Sequence, residues 1–570
     1  MSYREKSRIV FTAAALVAAC GTANGSSVTF FAPWGLPNIL PFEDDGVEPN
    51  DITQGSHVLS ATIGVPVFQS AWGTQSNQSI SLSMGLQGDW DLQRSGEHGW
   101  NDWESVQADG DLRYQYNSTS HSAFLSNWGQ YPYASNWSDS FNASTSGTNT
   151  LTYPLRTTTW MNEWDVYNGL GYTLQTSDPG SISGAVRSMF HGAISMTYTF
   201  TPSNKWTGGG GGGGPANWNN GANWGGGVPN AVGAHAWLDD TAALYQVSLD
   251  SAVTVGTLMI DSTTAYTISG PYGLTLDHAN MDPQFLAQGA SHTISADVHL
   301  SKSATITVGS GADLTLSGQL SAASNATLSK NGPGALHVSN LRVPAVSVGG
   351  GTIEVVANGT SSGTSKVTDL SIVDAKLDLR DNDLVVNYSG ASPLGISNGA
   401  RYTGVTGNIQ SASNAGAWDG PGITTSMSDA ASGLTTLGIA EAADVLGLTG
   451  SDTALWGGQT VDATSLLIKY TYAGDLNLDG LISGDDYSAI DFNINVPGAS
   501  GYYNGDVNYD GIISGDDYST LDFNYTAQGQ PNTTGAPGGV QGMTTVPEPG
   551  FLSVPLIGIV LMISRRRKRS

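Results

Sequence analysis

Apolar and polar residues alternate in short runs along most of this chain, and the runs change character twice before the alternation stops. Between Ser26 and Trp206, runs such as Ser79-Ile80-Ser81-Leu82-Ser83-Met84 and Ile194-Ser195-Met196-Thr197-Tyr198-Thr199-Phe200 keep a period of two, separated by polar turns. That period puts alternate side chains on opposite faces of a strand, so residues 26–206 are predicted to form an antiparallel β-sandwich. Gly208 to Gly214, seven consecutive glycines before Pro215, support neither sheet nor helix and predict a flexible linker over 207–217. From Trp218 to Tyr472 the runs shrink to three residues. Leu274-Thr275-Leu276, Leu314-Thr315-Leu316, Leu336-His337-Val338 and Ile353-Glu354-Val355 each follow closely on a glycine. Their spacing, in multiples of roughly 20 residues, predicts a parallel β-helix over 218–472, with a second sandwich as the competing fold.

The pattern then gives way to one loop written twice. Asp475-Leu476-Asn477-Leu478-Asp479-Gly480-Leu481-Ile482-Ser483-Gly484-Asp485-Asp486 recurs from Asp506 to Asp517, offset by 31 residues. Calcium takes six to eight hard oxygens at about 2.3–2.6 Å, and a loop of this length supplies them from positions 1, 3, 5, 7, 9 and 12 around a glycine at position 6. Those positions hold Asp475, Asn477, Asp479, the Leu481 carbonyl, Ser483 and Asp486. In the second copy they hold Asp506, Asn508, Asp510, the Ile512 carbonyl, Ser514 and Asp517. Two calcium ions are therefore expected, with the serines acting through water. Position 8, Ile482 or Ile513, would let the loops pair back to back. An acidic turn pair without metal is the bland alternative, and carboxylates at fixed positions around a glycine, twice over, weigh against it.

Each loop runs on into Tyr-Ser-x-(Ile/Leu)-Asp-Phe-Asn, which predicts a short helix from Tyr487 with Ile490 and from Tyr518 with Leu521. The duplication at 473–526 resembles the dockerin type I module, half an EF-hand repeated. At positions 10 and 11 the chain carries Gly484-Asp485 and Gly515-Asp516, and its helices offer Asp491-Phe492 and Asp522-Phe523, where the family carries Ser/Thr and Lys/Arg recognition residues. The resemblance thus implies calcium-stabilised folding rather than cohesin docking. Further upstream, Leu328-Ser329-Lys330-Asn331-Gly332-Pro333-Gly334-Ala335-Leu336 resembles the repeat of the autotransporter-associated β-strand family. The segments from Leu377 to Tyr388, from Gly416 to Ile423 and from Ser465 to Tyr472 resemble that family's closing part. Membership implies a passive stalk or surface scaffold.

The 570 residues are too many for one core, and 74 glycines favour turn-dense β-structure. A net charge of −27 makes nucleic acid an unfavourable partner and divalent cations a natural one. The one cysteine, Cys20, excludes an intrachain disulfide. It sits in a leader at 1–25, in which Arg4, Lys6 and Arg8 precede an apolar run and a small-residue cleavage site at Ala23-Asn24-Gly25. The run ending at Cys20 also reads as a lipobox that would lipidate that cysteine. Beyond a linker at 527–545, residues 546–570 hold Val546-Pro547-Glu548-Pro549, an apolar run from Phe551 to Ile563 and a basic cluster from Arg565 to Arg569. This resembles the PEP-CTERM sorting signal. About 13 residues rise only roughly 20 Å as helix, too short for a permanent span, which suits transient anchoring in the inner membrane. The family implies processing by an exosortase and delivery to the outer surface or an exopolysaccharide matrix.

Candidates for catalysis are thin. Asp89, Asp91, Glu97, Asp102 and Glu104 are interleaved with Trp90, Trp100 and Trp103, and Glu163 adjoins Trp164. Glycoside hydrolysis needs two carboxylates about 5 or 6.5–9.5 Å apart, and aromatic neighbours raise the acid's pKa. A solvated acidic loop explains the same residues without chemistry and is favoured. Gly395-Ile396-Ser397-Asn398-Gly399 matches a nucleophile elbow in letters only, and the nine histidines include no HExxH pair. The expectation is a mainly β, exported, structural or adhesive protein associated with polysaccharide, without assigned catalytic residues. A polysaccharide-degrading glycoside hydrolase is the alternative. Nine tryptophans before Trp206 could line a sugar-binding face or fill a core.

Overall fold

A computed structural model describes the backbone of residues 8–11, 26–47, 52–68, 72–95, 104–116, 119–130, 135–147, 156–157, 161–176, 180–210, 214–397 and 401–531. Side chains are described for 67–68, 72–78, 196–210, 214–397 and 401–531. The chain is mainly β with few helices, and its central feature is a parallel β-solenoid of about seven turns. Successive coils add one strand each to two nine-stranded sheets, and early coils add one to a four-stranded third sheet. The three-residue runs read from the sequence are these strands: Leu274–Leu276, Asp313–Leu316, Ala335–Val338 and Thr352–Val355.

Alternation sets which residues stack inside. In the second nine-stranded sheet Leu314 lies over Leu336, then Ile353, Leu377 and Ile423, all buried. The outward members between them, Thr315, His337 and Glu354, form a polar ladder. Parallel in-register stacking places like side chains on like at every coil, so each coil's apolar face is buried only by its neighbours. The first nine-stranded sheet breaks the alternation in its early coils. His235–Asp239, Thr257–Ser262 and Gln284–Gly289 are buried almost throughout, because their outward face is covered too. Phe200 meets Trp237 edge-on with ring centroids 5.2 Å apart, and Trp72 meets His235 at 6.1 Å. Phe68 and Tyr198 complete this aromatic cover. Trp72 is thereby a core residue.

The strands that precede the solenoid form two sheets. One is antiparallel, in the order Ser26–Val47, Gly180–Pro202, Gly73–Ser95 and Ser135–Gly147. The other runs Arg8–Phe11, Ile52–Pro66, Met161–Thr176, Glu104–Tyr116 and Thr119–Gln130, with Arg156–Thr157 beside Met161–Thr176. Arg8–Phe11, within the expected leader, pairs parallel to Ile52–Pro66, and the other pairings are antiparallel.

The solenoid begins earlier than Trp218. Lys205–Trp206 and Ala216–Asn217 already pair with its sheets, on either side of the glycine run. Gly208 is packed, with φ +61° and the Leu244 backbone 2.8 Å from where a Cβ would stand. Trp206, Trp218 and Trp224 close this end. Their ring centroids lie 4.8–6.5 Å apart. Each indole N–H donates to a carbonyl, of Leu244, Pro229 and Trp218 respectively, so the rings plug the stack without an orphaned donor.

Lys330 explains the lysine of the repeat-like motif. It occupies an inward rung between Ile306 and Val348, a place for an apolar residue, and is fully buried. Its ammonium donates to the carbonyls of Asn331 (2.9 Å), Gly332 (2.9 Å) and Gly350 (3.0 Å), pinning two successive coils at one corner. Burial presses its pKa down to about 7, against which the three carbonyls favour the charged form. Lys330→Ala is expected to cost about 3 kcal/mol, combining a cavity with three stranded acceptors. Urea unfolding followed by tryptophan fluorescence would register it as a lower midpoint, with Lys330→Met giving a smaller loss.

Candidate metal centre

The two loops have the same backbone. Position 4, Leu478 or Tyr509, is left-handed at φ 60° and 61°, and position 6, Gly480 or Gly511, follows at 98° and 91°. A non-glycine residue adopts this region only where its surroundings compensate. Both side chains are buried, Tyr509 stacking on Tyr502 at 5.6 Å. Positions 9 to 12 start the helices Gly484–Asn493 and Gly515–Ala527. Ser483 and Ser514 are their N-caps, and each forms a capping box with Asp486 or Asp517. One hydroxyl lone pair of each serine is thus taken by the helix, leaving the other for water.

The carboxylates fold onto loop N–H groups in the same way twice. Asp475 accepts from Asp479 N (2.9 Å) through Oδ1 and from Gly480 N (2.8 Å) through Oδ2. Asp506 accepts from Asp510 N (3.1 Å) and Gly511 N (2.9 Å) likewise. Asp486 spans its loop, bonding Leu476 N and Ser483 N at 2.7 Å each, and Asp517 bonds Val507 N and Ser514 N at 2.8 Å each. Asn477 and Asn508 accept from the position-5 N–H, and Asp479 and Asp510 from the position-7 N–H of Leu481 and Ile512. At position 8 the Ile482 N–H and carbonyl both bond the Gln528 side chain, at 2.7 and 2.9 Å.

Among the described residues no three His, Cys, Asp or Glu side chains converge at metal-binding spacing, since each carboxylate is drawn onto N–H groups of its own loop. The donor set nevertheless suits a hard cation. Asp475, Asp486, Asp506 and Asp517 are wholly buried. Burial, followed by the charges of Asp486 and Asp479, pushes Asp475 up to about 7. Burial pushes Asp486 and Asp517 up to about 6 and raises Asp506. Buried carboxylates crowded in this way need a proton or a cation. On Asp475 and on Asp506, Oδ2 carries two donors and Oδ1 one, which leaves Oδ1 a lone pair for a ligand bond.

Residues outside the loops hold them against the end of the solenoid and its last four-stranded sheet, and sequence reasoning missed these. That sheet comprises Ser365–Val367, Leu384–Asn387, Ser465–Tyr472 and Thr435–Glu441 in that order. Thr471, on its closing strand, donates to Asp475, and Tyr402 donates to Asp506 from 104 residues upstream. Gln410 Nε2 donates to the Tyr509 carbonyl at 2.7 Å, and Asn524 Nδ2 to the carbonyls of Gly433 and Ala473 at 3.0 and 2.9 Å. Gly438, in the same sheet, has no room for a Cβ, because Leu478 and Tyr502 press within 2.8 Å of that place. The two helices meet through a reciprocal pair, Tyr487 with Asp522 and Tyr518 with Asp491. Phe492 and Phe523, also equivalent, stay 80% and 68% exposed.

No family model, curated protein or solved structure matches this chain. Among the described residues no helix is long and apolar enough to cross a membrane. The sorting-signal region, Cys20, Glu97, Trp100, Asp102 and Trp103 lie outside the described residues. Asp89 and Asp91 fall on Gly73–Ser95, Glu104 and Glu163 on strands of the other sheet, with only their backbone described. Ser397 forms an isolated bridge with Tyr402, a turn rather than a strand-to-helix elbow, and Asn398 and Gly399 are not described.

The raised carboxylates set the sign of a pH effect. A folded pKa above the unfolded value near 3.8 means the folded chain binds more protons. This contribution is full below about 3.8 and is lost as pH climbs towards 6–7. In chelator the thermal midpoint associated with residues 465–527 is expected to fall as pH rises across that window, and calcium should abolish the fall; differential scanning calorimetry checks both.

Proposed function

We propose that this chain is an exported structural or adhesive protein of a polysaccharide-rich surface or matrix. In this reading the solenoid is the rod, residues 26–206 form a sandwich-like domain, and 473–526 are a dockerin-like module that binds two calcium ions. The observation that carries the reading is the duplicated loop, with the same left-handed turn at position 4, glycine turn at position 6 and pair of wholly buried aspartates in each copy. Two loops so built in a chain of net charge −27 gain from a divalent cation at each.

Asp475, Asn477, Asp479, the Leu481 carbonyl and Asp486 would hold the first ion, with Ser483 through water. Asp506, Asn508, Asp510, the Ile512 carbonyl and Asp517 would hold the second, with Ser514 through water. Bound calcium supplies the positive charge that these carboxylates lack. The loop N–H groups keep each carboxylate oriented before it arrives. The tyrosine-to-aspartate pair between the helices keeps the two halves in register. Export rests on the leader at 1–25 and on the PEP-CTERM-like tail at 546–570, which an exosortase-type enzyme would process. A stacked coil exposing Thr, His and Glu ladders suits a scaffold.

Calorimetric titration of the full chain with calcium is expected to show two ions at about 10 μM or tighter. Asp475→Ala and Asp506→Ala should each remove one of them. No heat of binding at millimolar calcium would overturn the calcium reading.

A further inference from the structure

The loops are near copies, 14 of 19 residues being identical between Asp475–Asn493 and Asp506–Asn524, so what makes them unequal comes from outside. Each first-position aspartate receives one outside hydroxyl, from Thr471 or from Tyr402. The difference in charge is Lys469. It precedes Thr471 by two residues on the closing strand, so both side chains leave the same face. The register that pairs Leu384 with Ile468 sets Asp383 opposite Lys469 at the next step. Lys469 is 0% exposed, and its Nζ has no hydrogen-bond partner among the described residues. Burial lowers its pKa, and Asp383 first, then Asp475 and Asp479 of the first loop, act against that by favouring the ammonium. Asp383 is equally buried. Its Oδ1 accepts the Tyr470 N–H at 3.2 Å, while its Oδ2, like Lys469 Nζ, has no hydrogen-bond partner among the described residues.

Two orphaned, opposite charges thus face each other across the strand pair that closes the solenoid, and the ammonium is shared with a calcium loop. At the second loop the outside group on Asp506 is a neutral phenol. A dication among Asp475 and Asp479 repels a buried ammonium beside them, and leaves Asp383 as the one carboxylate of the three still able to pair with it.

We infer that Lys469 makes the first loop the weaker calcium site, and that filling this loop passes the ammonium wholly to Asp383, tightening the closing strand pair. This rests on the calcium reading above. The test is a calorimetric calcium titration of the full chain, with hydrogen exchange of the Leu384–Asn387 and Ser465–Tyr472 amides. Two dissociation constants separated about tenfold are expected, the weaker lost in Asp475→Asn and the tighter in Asp506→Asn. Lys469→Met should tighten the weaker site by about tenfold and leave the other alone, with Lys469→Gln as the second variant should the first not fold. Exchange in the strand pair should slow as the weaker site fills, and the slowing should vanish in Asp383→Asn. Two equal sites, a weaker site that maps to Asp506, or unchanged affinity in both lysine variants would overturn the inference while leaving two-site binding intact. A chain that binds no calcium would remove both readings together.

Discussion

A stack of β-coils has two open ends, and most of this structure follows from closing them. Each interior coil buries its inward residues on the coils above and below, but the first and last have a neighbour on one side only. The amino-terminal end is closed by bulk, with Trp206, Trp218 and Trp224 filling the opening and spending their three N–H groups on carbonyls. The other end is closed by a change of architecture. Parallel coils give way to a sheet in which Leu384–Asn387 and Thr435–Glu441 flank Ser465–Tyr472 antiparallel, and the duplicated loops lie against it. That closing strand leads directly into the first loop, the Asp475 N–H bonding the Tyr472 carbonyl at 3.0 Å.

The two ends handle charge differently. Inside the stack Lys330 is tolerated because three carbonyls surround its ammonium. Near the closing sheet Lys469 and Asp383 are buried with a polar atom each left unpaired, and four further aspartates are buried in the loops. An interior can hold so many charges when they answer one another or a bound cation, and leaving any one alone costs several kcal/mol. The loops are tied to this end of the solenoid by the hydrogen bonds from Thr471, Tyr402, Gln410 and Asn524, beside the buried Lys469 and Asp383. What began as a separate module in the sequence is, in the fold, part of the closure.

Legibility followed the range of the interaction. The three-residue strands and the loops could be read because their signals are local: alternation with glycine behind it, and oxygen-bearing residues at fixed steps around a glycine. The glycine run read as a flexible linker, yet Lys205–Trp206 and Ala216–Asn217 on either side of it pair into the solenoid, because such pairing is decided by strands well downstream in the chain. Ile482 read as a loop-to-loop contact, and its backbone N–H and carbonyl both bond the Gln528 side chain.

The sequence by itself determined a mainly β chain, a repeating coil with Leu, Ile and Val turned inward, and two loops of identical donor order. Those are properties of neighbouring residues, and neighbouring residues carry them wherever the chain goes. Only the tertiary structure decided that Lys330 sits in an apolar rung, that Tyr402 reaches Asp506, and that Lys469 lies opposite Asp383 on the strand that leads into the first loop. The physical reason is the same in each case: a coil stack brings together side chains separated by tens of residues, and a buried charge takes its meaning from what surrounds it.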